Sequence, residues 1–150
     1  NGGGQFVISG TMEAVERAAK ICTEKGAKRA LMLQVSAPFH SALMAPAAGA
    51  MREALANVAR HAPVVPVVSN VSVVPTSDTD VITARLVEQV TGRVRWRETV
   101  EWFAGNGVST LYEVGTGKVL SGLARRINRD IAVGAVGTSA DVDAALAALG

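Results

Sequence analysis

The sequence has 150 residues, 49% hydrophobic and only 4% aromatic, long enough to bury a core built from Ala, Val and Leu. Its formal net charge of +2 and pI near 9.0 are too small a basic excess for a nucleic-acid surface; the arginines at 93, 95 and 97 and at 125, 126 and 129 read as solvated helix faces. The single cysteine excludes an internal disulfide or a cysteine metal cluster, and neither a membrane-spanning run nor a signal peptide is recognisable, so the sequence predicts a cytoplasmic protein that binds neither nucleic acid nor membrane.

The chain opens Asn1-Gly-Gly-Gly-Gln5 without an initiator Met, which reads as a piece of something longer. Phe6 to Ser9 is predicted as a strand. Thr11 caps a helix whose apolar stripe, Met12, Val15, Ala19 and Cys22, runs until Gly26 and predicts a buried, inert thiol. Ala30 to Val35 is a second strand, completing a β-α-β unit. Turn chemistry at Ser36 to Ser41 precedes a helix from Pro46 to Arg60, which His61-Ala-Pro63 ends.

Val64 to Val74 reads as a strand with an irregular exit, broken by Pro66 and Ser69-Asn70. Asp78 or Asp80 caps a helix with Ile82, Leu86 and Val90 on one face and Gly92 at its end. Trp96, Val100, Phe103 and Ala104 mark another helix, closed at Gly105-Asn-Gly107. A strand at Thr110–Val114, a tight turn at Gly115-Thr-Gly117, a helix to Arg126, a strand at Ile131–Val136 and a helix from Val142 to Leu149 follow. Strands alternating with helices predict an α/β fold with a largely parallel sheet.

Two histidines are the candidates for acid–base chemistry. His61, at a helix end, suits a structural role near free carbonyls. His40 lies in a loop leaving a strand, where α/β folds place reactive groups, but a base needs a nucleophile. Gly107-Val-Ser109 and Gly137-Thr-Ser139 begin a serine elbow, yet Leu111 and Asp141 stand where its second glycine belongs, so the nucleophile lies elsewhere. Gly115-Thr-Gly117-Lys118 matches no phosphate-binding spacing and reads as a permissive βα turn. No grouping suggests a metal site.

The run Gln34-Val-Ser-Ala-Pro-Phe-His-Ser-Ala-Leu-Met44 resembles the histidine motif of malonyl-CoA:acyl-carrier-protein transacylases. Gly26 to Ala30, Pro63 to Val71, Val94-Arg-Trp96 with Thr99-Val-Glu101, and Tyr112 to Leu120 with Gly122-Leu123 resemble further segments of that family, in the same order. The match runs from Asn1 and thins after about Arg129. The resemblance implies the C-terminal part of an α/β-hydrolase-like acyltransferase fold. Residues 1–34 would be the second half of a ferredoxin-like small subdomain, and residues 35–150 the C-terminal part of the large one.

It also implies transfer of a malonyl group from coenzyme A to the phosphopantetheine thiol of acyl carrier protein, in fatty acid or lipid metabolism, through a serine acyl-enzyme. The coenzyme A thioester is substrate, and no cofactor or metal is implied. By resemblance His40 is the catalytic histidine and the Gln89 backbone carbonyl holds its other ring nitrogen. Asn1 lies near the substrate cleft, and Phe39 biases the site toward malonyl by crowding an α-methyl group, worth about 1–3 kcal/mol. The family's elbow serine, malonyl-pairing arginine and oxyanion-hole glutamine motif have no counterpart here, which implies a complementary N-terminal segment or chain. The sequence also departs from the pattern at Thr116 and at Gly92-Arg93, beside Gln89. Alternatives are an acyltransferase domain of a polyketide or modular fatty acid synthase, and a non-catalytic fragment that docks carrier protein.

Overall fold

A computed structural model describes residues 1–150, which divide into two compact units, residues 7–94 and residues 1–6 with 95–150. No helix is long and apolar enough to cross a membrane.

In the unit of residues 7–94, α1 (Met12–Glu24) starts where the Thr11 hydroxyl accepts the Ala14 N–H at 3.3 Å. None of its residues is buried, and Cys22 is exposed, contrary to the buried thiol expected from the stripe. An apolar face marks what a helix would cover, and here it is covered only in part: Val15 and Ala19 are half-buried, while Met12 and Cys22 are exposed. Nor do the strands expected at 6–9 and 30–35 form. Phe6, Val7, Ile8, Leu31, Met32, Leu33 and Val35 are exposed, and their backbones join no sheet. Strand propensity describes a half-buried, paired surface, and without a partner strand the same residues stay irregular.

A single 3₁₀ turn, Ala42–Met44, leads into α2 (Ala45–Ala56), with Pro46 in its first turn. The helix stops short of Arg60 because Asn57 turns back on it, its amide donating to the Glu53 carbonyl at 3.1 Å. Arg60 reaches instead to the Thr83 hydroxyl at 2.6 Å and to Asp80 at 3.7 Å. The valine-rich run gives only β1 (Val67–Val68), antiparallel to β2 (Pro75–Thr76), so the long strand expected there is a short hairpin. Its loop is braced by a 2.8 Å bond between the Ser69 and Ser72 hydroxyls and carries Val73 at φ 59°, a strained backbone for a β-branched residue. Asp78 caps α3 (Thr79–Glu88) by accepting from the Asp80 and Val81 N–H groups at 2.8 and 3.0 Å, and α3 packs against α2.

The other unit holds α4 (Trp96–Gly105), β3 (Thr110–Val114), α5 (Val119–Ile127), β4 (Ala132–Val136) and α6 (Ser139–Leu149). β3 and β4 pair in parallel, from Thr110 opposite Ala132 to Val114 opposite Val136, with α5 as the crossover. The core is Val100, Ala124 and Ile131, packed by Trp96, Ala104, Leu111, Ile127 and Val133. Glycine at 134 is required because the Tyr112 ring lies where its Cβ would be, 2.8 Å away. Thr138 and Asp141 form a reciprocal cap on α6. The chain is thus mixed α/β as expected, with parallel pairing confined to β3 and β4.

Candidate active site

The loop from Ser36 to Ser41 ends in His40, whose backbone sits at φ 59°. Left-handed backbone costs a residue with a Cβ about 1–3 kcal/mol and persists only where neighbours hold it. Here the Ser41 hydroxyl donates to the Pro38 carbonyl at 2.7 Å, and the Phe39 N–H to Ala37 at 2.9 Å. The exposed His40 ring places Nδ1 2.8 Å from the backbone carbonyl of Gln89. A carbonyl oxygen only accepts, so Nδ1 carries the hydrogen, and the neutral ring keeps Nε2 as its bare, proton-accepting nitrogen.

Gln89 is the C-terminal cap of α3, with φ −64° and ψ −20°. Helix ends leave their last carbonyls without intrahelical donors, so this oxygen is available to a side chain. The Gln89 side chain is occupied separately: its Oε1 accepts from the Asn70 amide at 3.0 Å. Beyond it the Gly92 N–H closes the turn on the Glu88 carbonyl at 2.9 Å. A Cβ on Gly92 would stand 2.8 Å from a Val71 methyl and 2.9 Å from the Glu88 oxygen, so the Gly92-Arg93 departure is what this tight turn requires. Asn70 was not among the residues singled out by sequence; Ser69-Asn70 reads there only as an interruption of a strand.

Of the other candidates, Phe39 precedes His40 in the loop and is 47% exposed. Asn1 is half-buried and belongs to the other unit. His61 is exposed and lies beyond the true end of α2, so it does not meet that helix's last carbonyls as expected. Four of these arginines have partners: Arg95 with Glu98, Arg97 with Glu101 and Arg126 with the Gly122 carbonyl, each close in sequence, and Arg125 with the Val133 carbonyl of β4. No group of His, Cys, Asp or Glu is set to hold a metal ion.

The Gly115–Lys118 turn has positive φ at both glycines, 132° and 95°, as a permissive turn should. The α5 amides it presents are already taken, because the Glu113 carboxylate accepts from Leu120 and Ser121 N–H at 3.1 and 2.8 Å. The Ser121 hydroxyl, then the backbone N–H groups of Ser121, Leu120 and Val119, hold the Glu113 carboxyl below its ordinary value of 4.5. A carboxyl whose folded value is depressed stabilises fully above its unfolded value and stops doing so as pH falls through the folded one. Glu113→Gln should therefore lower the urea midpoint at pH 7, with the gap to the native protein closing below about pH 4.5. A gap that stays constant down to pH 3 would contradict this capping role.

No protein-family model matches the chain. Among curated proteins it is 49% identical over 146 residues to the malonyl CoA-acyl carrier protein transacylase of Salmonella typhimurium, covering 97% of this chain and 47% of that one. Among solved structures, the acyl-carrier-protein S-malonyltransferase of Bartonella henselae superposes with a TM-score of 0.87 at 60% identity, over 91% of this chain and 44% of that one. A malonyl-transacylase solved in complex with a type II polyketide synthase acyl-carrier protein gives 0.86 at 44% identity, over 93% and 45%. The chain spans just under half the length of the curated relatives it matches. In sequence and in fold it is similar to the C-terminal part of the malonyl-CoA:acyl-carrier-protein transacylases.

Proposed function

We propose that this chain supplies the histidine of a cytoplasmic malonyl-CoA:acyl-carrier-protein transacylase, and that a complementary N-terminal segment or chain supplies the serine. The observation that carries the reading is the 2.8 Å bond from His40 Nδ1 to the Gln89 carbonyl, which leaves Nε2 free to take a proton. In the first half-reaction the serine hydroxyl adds to the malonyl thioester carbon while its proton passes to His40 Nε2. The tetrahedral adduct collapses, the carbon–sulfur bond breaks, and the imidazolium returns the proton to the coenzyme A thiolate. In the second, the carrier-protein phosphopantetheine thiol gives its proton to Nε2 and adds to the seryl ester, the carbon–oxygen bond breaks, and the imidazolium returns the proton to the departing serine oxygen.

The Gln89 carbonyl keeps the ring in the tautomer that both halves need and faces the positive charge that develops on it. Phe39, next to the base, crowds a substituent on the acyl α-carbon, and Asn1 lines the substrate cleft once the complement is in place. The arginine that pairs with the malonyl carboxylate belongs to that complement. No cofactor or metal enters the scheme.

Incubating the complete enzyme with malonyl-CoA should add one malonyl group to a serine of the complementary segment. Acyl carrier protein should then remove it, both steps followed by intact mass. A protein that forms no adduct with malonyl-CoA would sink the reading. The likeness to a transacylase bound to a polyketide carrier protein favours a second reading, the same transfer serving polyketide assembly. Faster deacylation by a polyketide carrier than by a fatty acid carrier would select it.

A further inference from the structure

We infer that Asn70 is a positioning residue for the proposed base, because it holds the Gln89 side chain and thereby keeps the Gln89 carbonyl aimed at His40 Nδ1. The inference rests on His40 acting as that base. A helix's last carbonyls receive no N–H from a following turn, and such peptide planes tilt readily toward water. The Gln89 N–H donates to the Arg85 carbonyl at 3.0 Å, and the Val90 N–H, in the same peptide plane as the Gln89 oxygen, donates to the Val87 carbonyl at 3.2 Å, a bond at the long end of the range that leaves the plane some room to tilt.

A further restraint comes from Asn70, 19 residues upstream in the β1–β2 loop, whose amide donates to Gln89 Oε1 at 3.0 Å. That bond ties the hairpin loop to the end of α3, and both partners are half-buried. The two residues line a small, partly open pocket with Val68, Ile82, Arg85 and Leu86. The loop is itself rigid. The Ser69 and Ser72 hydroxyls are joined, the Val73 N–H returns to the Ser69 carbonyl at 3.3 Å, and Val71 is seated where Gly92 leaves room. Three consecutive links therefore run from the loop to the imidazole: Asn70 amide, Gln89 side chain and carbonyl, His40 Nδ1.

The test uses the complete enzyme and two readouts, steady-state malonyl transfer and the His40 tautomer by nitrogen-15 NMR. Asn70→Leu keeps the volume and removes the donor. It should lower kcat about five-fold, roughly 1 kcal/mol, with KM for malonyl-CoA unchanged, and shift His40 from the Nδ1–H tautomer to a mixture. Gln89→Leu should do the same, and the double variant should be no worse than either single one, since both cut one link. Asn70→Asp should restore both readouts, because the Gln89 amide turned end for end donates to the new carboxylate.

Native kcat and tautomer in Asn70→Leu, or losses that multiply in the double variant, would overturn the inference. If Asn70→Leu fails to fold, Gln89→Leu and Asn70→Asp decide it: a native tautomer in the first, or a lost one in the second, counts against Asn70. Failure of the base itself is separable. Full transfer by His40→Ala would remove the catalytic reading, while the tautomer readout would still report whether Asn70 orders the ring.

Discussion

His40→Ala in the complete enzyme should reduce malonyl transfer by about a thousand-fold while leaving the fold intact. The size follows from what a positioned base contributes, on the order of 10²–10⁴ in rate, because without it the serine proton must leave to water. The fold should survive because the ring is exposed and its one hydrogen bond goes to an acceptor that water can satisfy. Removing the side chain does not relieve the left-handed φ of 59°, so His40→Gly is the instructive companion. It should be as inactive as the alanine variant but somewhat more stable, since glycine adopts that conformation without strain. Single-turnover acylation with malonyl-CoA and a thermal melt measure the two effects separately. Acylation at the native rate in either variant would remove His40 from the chemistry.

Val100→Asp should unfold the unit that contains β3 and β4. Val100 is fully buried, 0% exposed, against Ala124 at 1% and Ile131 at 4%, with Trp96, Leu111, Ile127 and Val133 around them. Among the side chains packed there the one donor is the indole N–H of Trp96, buried without a partner, and a single N–H does not replace the water a carboxylate would lose. Burying an unpaired charge costs several kcal/mol, of the order of a domain's whole stability of about 5–15 kcal/mol. Val100→Ala gives the reference, a loss of about 2 kcal/mol for two methyl groups and the cavity left behind. Urea titrations followed by tryptophan fluorescence should show a lowered midpoint for the alanine variant and no cooperative transition for the aspartate one. A native-like midpoint for Val100→Asp would mean that the packing around α4 is not what holds this unit.

What was legible in the sequence follows how local each signal is. β3 was readable to the residue and β4 to within one, because short apolar runs bounded by turn residues pair with each other inside the same stretch of chain. Thr11 was readable as a cap, and Asp78 as one of two candidates with Asp80, because the groups a cap satisfies lie within three residues. The runs at 6–9 and 30–35 misled because pairing is a property of two strands, and here neither has its neighbour. Cys22 misled in the same way: a stripe tells which face would be buried, not that anything buries it.

The pairing of His40 with Gln89 spans 49 residues and involves a main-chain atom, so no spacing or residue type in the sequence encodes it. Only likeness to a family pointed there. Asn70 had a signal that went unused, a polar side chain interrupting an apolar run at a point where the chain turns back. Glu113 had one too, an acidic residue at the end of a strand that leads into a helix start.

The acceptor that orients the imidazole belongs to the peptide group, and this shapes how the site tolerates genetic change. Every one of the twenty amino acids brings the same oxygen to position 89, so no codon substitution there can delete it. The vulnerable codon is the next one. Proline in place of Val90 would drive Gln89 from its ψ of −20° toward extended values and swing that oxygen off the ring, so a saturation scan should find only modest losses at one position and a sharp veto on a single residue at its neighbour.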